Sequence, residues 1–392
     1  MIGLDEALAL IADRVVPLGT ETVPLAESAG RTLAEDLCAR SDSPRHAVSV
    51  MDGYAVIDAA TRPGKTFAVV GESRAGSGFD RTLKPGEAVR IFTGARLPAG
   101  ADRVIVQEHA ERDGERVRFV EGYGPATHVR PAASDFRAGD VLLAAGTRLD
   151  PRALVTAGAA DRAEVRLARR PRVAVIGTGD ELAAPGSAHL EPDAVPESVT
   201  LGVAAMVEAE GGTIVARDAA ADELAALTRH AGRALDQADL VVVTGGASVG
   251  ERDFAKPMFE AHGLDLVFSK VAIKPGKPVW LGLARGKVVL GLPGNPTSAM
   301  VTATLFLKPI LARLQGVRAD HAWRRLPLAA PLAATGDRET FVRARWAAEG
   351  LVPLGNQDSG AQGPLARADW LVRCPPHHGE RAAGTEVMAL AF

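Results

Sequence analysis

The chain has 392 residues, of which 47% are hydrophobic and 24% are charged, and its formal net charge is −3. This length exceeds that of one ordinary domain and indicates roughly two to four folding units, while the composition is that of a globular protein. The small negative charge gives no basic excess to neutralise a phosphate backbone, which argues against nucleic-acid binding.

The cysteines and the N-terminus bear on where the protein works. Cys38 and Cys374 have no CxxC or Cys/His spacing, which argues against a zinc site or a disulfide framework and fits a reducing compartment. Acidic residues interrupt residues 1–16, so we predict an amphipathic helix over 3–16 instead of a signal peptide. No apolar run reaches the roughly 18 uncharged residues needed to cross a bilayer. These features predict a cytoplasmic protein without a membrane segment.

The remaining elements follow in chain order. From about Phe67 to Leu149, short apolar runs separated by Gly, Pro and Asp clusters predict mainly β structure. Residues 173–177 (VAVIG) predict a strand buried on both faces. Helical patterns near 199–210 and 222–237, the strands in DLVVVTGG and KVVLGLPG, and a helix from Thr297 complete an α/β pattern. The expected fold class is therefore α/β plus all-β, with a doubly wound domain.

The tail beyond about residue 319 has no long helical period and predicts a small β domain. Within it, FVRARW alternates Val342, Ala344 and Trp346 against Phe341, Arg343 and Arg345. A Pro-rich segment, residues 189–198, interrupts the α/β pattern and is expected to border a site.

Three loops follow predicted strands: residues 177–182, 245–253 and 292–298. If the strands are parallel, these loops lie on one rim of the sheet, where free N–H groups at helix N-termini bind anions. Gly245, Gly246 and Gly250 would let backbone amides approach a phosphate, and Ser248 adds a hydroxyl donor. The alternative for any single loop is a plain strand-to-helix turn.

Two nucleotide-binding motifs are absent from these loops. A dinucleotide fingerprint would need glycine where Leu182 stands, and no loop matches GxxxxGK[ST]. A nicotinamide oxidoreductase and a P-loop enzyme are therefore disfavoured.

Charged residues flank the loops. Glu181 and Asp253, with Asp180 and Glu251 beside them, place carboxylates where Mg²⁺ could bind through one or two carboxylates and substrate oxygens. In KVAIKPGKP, the prolines and glycine constrain Lys270, Lys274 and Lys277, whose ammonium groups could hold an oxyanion. Solvated surface charges are the alternative for both groups.

Two further turns lie in the N-terminal half. Asp52 precedes Gly53 in MDGYA, and Thr93 precedes Gly94 in FTGA, which indicates tight turns that expose a polar side chain. A turn-supporting role for Asp52 and Thr93 is at least as well founded as a catalytic one on these residues alone.

Six segments together resemble one family. SVMDGYAV, IFTGARLPAGADRVIVQE, VAVIGTGDEL, TGGASVGERD, KVAIKPGKP and GLPGNPTSA occur in the order and at spacings like those of the molybdopterin molybdenumtransferases, the MoeA proteins and the E domain of gephyrin. The resemblance covers nearly the whole chain. TGGASVG and LPGNP are also shared with molybdopterin adenylyltransferases.

The resemblance implies an elongated homodimer with a molybdopterin-binding α/β domain and a C-terminal β-barrel-like domain. The implied domains are a discontinuous linking domain (1–43 and 138–170), an inserted β domain (44–137), the α/β domain (171–318) and the C-terminal β domain (319–392). In such dimers the active site lies between the α/β domain of one subunit and the β domain of the other.

The resemblance also implies site residues. The expected catalytic residues are Asp52, Thr93, Glu181, Asp253, Lys270 and Lys274, with Glu181 and Asp253 as Mg²⁺ ligands. The expected substrate-binding residues are Gly245, Gly246, Ser248, Gly250, Lys277, Pro293, Gly294, Asn295, Pro296 and Ser359. The chain departs from the family at Glu197, Ser198 and Val199, where an Asp, a Ser or Thr and an Asn are usual.

The implied reaction inserts molybdenum from molybdate into adenylylated molybdopterin and releases AMP, with charge stabilisation as the source of catalysis. An adenylyltransferase and acceptor molybdoenzymes are the implied protein partners. Two alternatives stay open at this point: an adenylyltransferase or nucleotide pyrophosphatase built on the same α/β domain, and a non-enzymatic scaffold like the gephyrin E domain.

Overall fold

A computed structural model describes residues 1–246, 254–318 and 320–392. The chain forms two compact units. Unit 1 comprises residues 1–23, 30–34 and 166–392, and unit 2 comprises residues 24–29 and 35–165. The four domain boundaries expected from the sequence stay a prediction.

The helices and strands have the following bounds. The described α-helices are α1 (Leu4–Arg14), α2 (Pro151–Ala159), α3 (Val199–Ala209), α4 (Leu224–Gln237), α5 (Pro257–Glu260), α6 (Pro296–Thr302) and α7 (Lys308–Leu314), and a π-helical turn (Ala303–Leu307) joins α6 to α7. The strands up to residue 143 are β1 (Thr20–Pro24), β2 (Leu37–Cys38), β3 (Val48–Ser49), β4 (Gly53–Val56), β5 (Thr66–Ser73), β6 (Glu87–Ile91), β7 (Arg103–Val106), β8 (Ala110–Asp113), β9 (Arg116–Phe119), β10 (Val129–Arg130) and β11 (Val141–Leu143). The later strands are β12 (Glu164–Ala168), β13 (Arg172–Thr178), β14 (Leu182–Ala183), β15 (Val195–Pro196), β16 (Thr213–Ala220), β17 (Leu240–Thr244), β18 (Asp265–Phe268), β19 (Ile273–Lys274), β20 (Trp280–Ala284), β21 (Lys287–Leu292), β22 (Arg324–Pro327), β23 (Glu339–Ala347), β24 (Gly350–Pro353), β25 (Trp370–Cys374) and β26 (Glu386–Ala391).

Unit 2 is built on a six-stranded sheet in the order β7-β4-β6-β5-β9-β8. Its core contains an aromatic cluster in which the ring of Phe119 lies 6.0 Å from that of Tyr54 and 5.2 Å from that of Phe67. Gly53 begins the interior strand β4, and a Cβ there would lie 2.0 Å from the carbonyl oxygen of Ile105 on the neighbouring edge strand β7. Only glycine therefore lets β4 and β7 pair this closely, which explains the residue that follows Asp52.

Unit 1 contains the α/β sheet, in the order β16-β13-β17-β21-β20-β18. Strands β16, β13, β17 and β21 are parallel to one another, while β20 and β18 run antiparallel. All residues of β17 and all but the first of β13 are buried, as the continuous apolar runs predict for strands covered on both faces. Because β13, β17 and β21 are parallel, their carboxyl ends meet at one edge of the sheet, as the sequence predicts.

Helices cover this sheet because their apolar residues recur at helical spacing. Leu227, Ala231 and Leu235 of α4 are buried against one face, and Val203 and Val207 of α3 belong to the core on the other. The first helix, predicted over residues 3–16, spans Leu4–Arg14. None of the helices in the described part of the chain combines the length and apolarity that a membrane span requires.

The C-terminal sheet has the order β19-β23-β25-β26-β22, and β24 also pairs with β23. Its edge strand β19 comes from the KVAIK segment, which the sequence assigned to the α/β region: Ile273 pairs with Glu339 and Lys274 with Thr340. Phe341 of β23 packs into the same hydrophobic core as β13 and β17. The lysine segment is therefore held between the two sheets of unit 1.

Candidate active site

An open cleft of about 1660 Å³ lies in unit 1, between the carboxyl edge of the α/β sheet and the C-terminal sheet. The predicted site residues that line it are Glu181, Gly245, Gly246, Lys270, Lys274, Lys277, Pro293, Gly294, Asn295, Pro296 and Ser359. The predicted residues Ser248, Gly250 and Asp253 lie outside the described residues. Asp52 and Thr93 belong to unit 2 and are treated separately below.

The first loop places a carboxylate at the cleft. After β13 ends at Thr178, Gly179 adopts a φ of +151°, and a Cβ there would lie 2.7 Å from Oε2 of Glu181. Glycine thus lets the Glu181 side chain fold back over the loop. Within the described residues the Glu181 carboxylate has no hydrogen-bond or ion-pair partner, so it is available to a ligand.

The second loop follows β17. Gly245 has a φ of +92°, and a Cβ there would lie 2.4 Å from the carbonyl oxygen of Thr178. Gly246, with a φ of +55°, would bring its Cβ within 3.2 Å of the Ala255 nitrogen. The close approach of neighbouring backbone therefore requires glycine at position 245 and leaves little space for a side chain at position 246, and both residues form part of the cleft wall.

The third loop joins the two sheets. Asn295 precedes α6 and donates a side-chain hydrogen bond to the Ser359 hydroxyl at 3.0 Å. The carbonyl oxygen of Ser359 accepts the Thr297 N–H at 3.2 Å. Ser359 therefore lies directly against the LPGNP turn.

Four basic side chains line the cleft. Three are the predicted lysines Lys270, Lys274 and Lys277, all exposed to solvent. The fourth is Arg338, which sequence reasoning missed; its guanidinium donates to the carbonyl oxygen of Ile273 at 3.2 Å. Arg338 directly precedes β23, and only the pairing of β23 with β19 brings it beside the lysine segment. No local sequence signal reveals that pairing.

The family-divergent segment lies at the start of α3. Glu197 is 8% exposed, and its carboxylate accepts the N–H of Thr200 at 2.8 Å and the hydroxyl of Thr200 at 2.5 Å. It therefore caps the helix and neutralises its N-terminal dipole. Ser198 and Val199 line the cleft beside it, so the wall presents an aliphatic side chain at the position where the family resemblance leads us to expect an amide.

Asp52 and Thr93 contact each other in unit 2. Oδ1 of Asp52 accepts both the N–H and the hydroxyl of Thr93, each at 2.8 Å. The Thr93 N–H and hydroxyl, opposed by slight burial and aided by Arg90, lower the pKa of Asp52. The Arg90 guanidinium stacks on the rings of Tyr54 and Phe92 and donates to the Gly53 carbonyl. The MDGYA and FTGA turns thus form one ordered polar cluster with an ionised carboxylate.

Metal-binding potential is limited in the part of the chain that the structure describes. There, no group of three His, Cys, Asp or Glu side chains is arranged to hold a metal ion. Cys374 is fully buried, and burial raises the pKa of its thiol to about 12, so it is protonated and inaccessible.

Sequence profiles of three regions match this chain. Residues 2–160 match the MoeA N-terminal region (domains I and II), residues 174–313 match a probable molybdopterin-binding domain, and residues 325–392 match the MoeA C-terminal region (domain IV). Together these profiles cover most of the chain, including both sheets that form the cleft.

Full-length relatives and solved structures agree with the profiles. A Haemophilus influenzae protein named molybdopterin molybdenumtransferase is 36% identical over 330 residues, covering 83% of this chain and 80% of the relative. Molybdopterin molybdenumtransferase 2 of Mycobacterium tuberculosis is 33% identical over 99% of this chain and 98% of its own length. A molybdopterin biosynthesis MoeA protein from Pyrococcus horikoshii superposes with a TM-score of 0.82 at 30% identity, covering 100% of this chain and 99% of that one. The chain therefore belongs to the MoeA family.

Proposed function

We propose that this protein is a molybdopterin molybdenumtransferase, which inserts molybdenum from molybdate into adenylylated molybdopterin and releases AMP. The observation that carries the proposal is the cleft of unit 1, which is lined both by the Glu181 carboxylate and by four basic side chains. A diphosphate ester and a dianionic metal oxide repel each other in water, so a site that joins them must supply fixed positive charge. Lys270, Lys274 and Arg338 provide it.

The alternatives fit less well. An adenylyltransferase or nucleotide pyrophosphatase needs only the α/β domain, whereas this chain also matches the MoeA N-terminal and C-terminal regions. A non-enzymatic scaffold has no need of an unpaired carboxylate and several ammonium groups in one cleft. The two dithiolene sulfurs of the substrate are the expected molybdenum ligands, which agrees with a chain whose Cys374 is buried.

One experiment separates these functions. Purified protein would receive adenylylated molybdopterin, Mg²⁺ and molybdate, and AMP release and molybdenum insertion would be followed together. We expect both to proceed in step. Adenylylation of molybdopterin from ATP would support the adenylyltransferase instead, and peptide binding without any turnover would support the scaffold.

Magnesium is part of the proposal. Mg²⁺ is usually held by one or two carboxylates and by substrate phosphate oxygens. A cleft lined by the Glu181 carboxylate, which has no partner among the described residues, therefore suits it even though those residues form no three-residue cluster. Glu181 would hold the ion, with Asp253 as the second ligand expected from the sequence. When bound, the ion would neutralise charge on the pyrophosphate. The residues of the chain would bind and orient the two anions.

Replacing Glu181 with Gln should therefore weaken metal binding. We expect the Mg²⁺ concentration for half-maximal AMP release to rise on the order of 10- to 100-fold, because the amide lacks the charge of the carboxylate. Mn²⁺ binding measured by electron paramagnetic resonance should weaken in parallel. Glu191→Gln, an exposed glutamate further along the chain and outside the cleft lining, serves as the control. An unchanged metal requirement in Glu181→Gln would remove this residue from the metal site.

We further propose that the protein acts as a homodimer, in which the partner subunit's Asp52 and the partner subunit's Thr93 complete the cleft. Two observations support this proposal. The chain resembles the family, and two hydrogen bonds from Thr93 hold the Asp52 carboxylate in place and keep it ionised by lowering its pKa. The adenylyltransferase that supplies the substrate and the molybdoenzymes that accept the product are the expected partners. The cytoplasmic location stays a prediction.

Mixing two inactive variants tests this arrangement. Asp52→Ala and Lys274→Met should each be folded and inactive alone, because both side chains are at least partly exposed and leave no cavity. After subunit exchange, about half the dimers would be mixed and would hold one intact site, restoring roughly a quarter of wild-type activity. Sedimentation would establish that the protein is a dimer. Labelled subunits would establish that the subunits exchange between dimers. No recovery after proven exchange would contradict a shared site.

A further inference from the structure

Arg343 is a buried cation outside the cleft lining. It lies on β23 and is 1% exposed, although Arg345, two residues further along the strand, is exposed to solvent. Burial lowers the pKa of its guanidinium, which nonetheless remains protonated at neutral pH. A buried charge is costly unless its donors are satisfied, so the partners of Arg343 show what the residue accomplishes.

The described partners of the guanidinium are neutral oxygens. Nη2 donates to the carbonyl oxygens of Asn356 at 3.1 Å and Asp358 at 3.0 Å. Nη1 donates to the Thr297 hydroxyl at 3.1 Å and, at 3.4 Å, to the carbonyl oxygen of Ala361. One side chain therefore binds both the loop between β24 and β25 and the first turn of α6.

That loop, residues 356–362, forms one wall of the cleft. Gln357, Asp358, Ser359, Gly360 and Gln362 all line it. The loop is also fastened at its other side, because Thr297 donates its hydroxyl to the Ala361 carbonyl at 2.8 Å and Asn295 donates to the Ser359 hydroxyl. A serine hydroxyl that accepts a hydrogen bond keeps its own proton to donate.

Stability alone is a weak reason for this arrangement. Replacing a buried ionic group by an apolar side chain of similar volume is often neutral or stabilising. The carbonyl oxygens of Asn356 and Asp358 belong to residues that are exposed to solvent. What Arg343 uniquely supplies is a rigid fork of donors that fixes several carbonyls at once.

We propose that Arg343 is a positioning residue, which holds the 356–362 loop against α6 so that the Ser359 hydroxyl is presented to the anionic substrate in the cleft. This rests on the proposed function for the identity of the substrate. Arg343 acts through the loop and does not touch the substrate.

The test combines four variants with two measurements. Arg343→Met, Arg343→Lys, Ser359→Ala and the double variant Arg343→Met/Ser359→Ala would be compared with wild type. Arg345→Met is the matched control, because Arg345 lies two residues along the same strand and is exposed. Amide hydrogen exchange of residues 356–362 is measured without ligand, and kcat and KM for adenylylated molybdopterin are measured with molybdate and Mg²⁺.

In Arg343→Met we expect exchange of the loop amides to quicken roughly 10- to 100-fold, since hydrogen bonds to a charged donor are lost, while β26 exchanges as before. kcat/KM should fall by a similar factor because KM rises. Adding Ser359→Ala should cause no further loss, because residues that act through one another are not additive. Arg343→Lys should recover part of both effects, and Arg345→Met should show neither.

Loop exchange unchanged in Arg343→Met, or additive losses in the double variant, would overturn the proposal. A wild-type protein that releases no AMP would refute the proposed function instead, and the exchange measurement would still decide whether Arg343 tethers the loop.

Discussion

Replacing Lys274 with Met is expected to lower kcat/KM for molybdenum insertion roughly 100- to 1,000-fold, the loss typical when one preorganised charge-stabilising donor is removed. Lys274 lines the cleft and pairs through its backbone with Thr340, so its position is fixed by the C-terminal sheet. Its side chain is exposed and has no ion-pair partner in the described ranges. The melting temperature should therefore hardly change, and the loss should appear in steady-state AMP release.

Two companion variants separate charge from position. Lys274→Arg keeps the charge but changes its shape, and we expect it to retain more activity than Lys274→Met. Lys308→Met removes a lysine that forms a surface ion pair with Glu210 at 3.5 Å and is outside the cleft lining. Near-neutral stability and full activity are expected for it. Activity of Lys274→Met close to that of wild type would exclude Lys274 from the site.

Replacing Gly276 with Ala should both destabilise the protein and impair the reaction. Gly276 lies between Lys274 and Lys277 with a φ of +105°, and a Cβ there would lie 2.2 Å from Cγ2 of Thr302. Thr302 is fully buried and held by a 2.7 Å hydrogen bond from its hydroxyl to the Ser298 carbonyl, so it cannot move aside. Backbone strain and overpacking together are expected to lower the free energy of unfolding by roughly 2–5 kcal/mol. Denaturant unfolding would measure the stability, and AMP release the accompanying shift of the lysines.

Matched variants divide that loss into its causes. Gly286→Ala also has a positive φ, +73°, but no atom lies within 4 Å of the new Cβ, so it should show backbone strain without a clash, about 1–2 kcal/mol. Adding Thr302→Ser to Gly276→Ala removes the clashing methyl group and keeps the hydroxyl, and should restore part of both stability and activity. Equal losses in Gly276→Ala and Gly286→Ala would show that contact with Thr302 does not constrain the lysine segment.

Much of the α/β sheet could be predicted because its signals are local. The apolar run at 173–177 lies within β13, which spans Arg172–Thr178, and the helical pattern near 199–210 corresponds to α3, Val199–Ala209. The helix predicted over 3–16 ends earlier, at Arg14, because Val15 already has an extended backbone. Loops that follow parallel strands lie at one edge of the sheet, which predicts that Glu181, Gly245 and Asn295 are close together. All three residues line the same cleft.

Residues that depend on long-range contacts could not be found in this way. The alternation in FVRARW puts Phe341, Arg343 and Arg345 on one face of β23, yet Arg343 is buried and Arg345 exposed. Strand periodicity assigns a face, whereas the returning 356–362 loop decides which part of that face is covered. Arg338 was missed for the same reason, because no pattern near it in the sequence indicates its contact with Ile273, which lies 65 residues away.

The sequence by itself determined the class of the fold, the family and the chemical character of the site, because strand and helix periods, glycine turns and clustered charges are written in short stretches of chain. Only the tertiary structure decided that β19 joins the C-terminal sheet, that Arg338 enters the cleft and that Arg343 is buried behind it. Those outcomes depend on backbone pairing and packing between segments far apart in the chain, which no local pattern encodes.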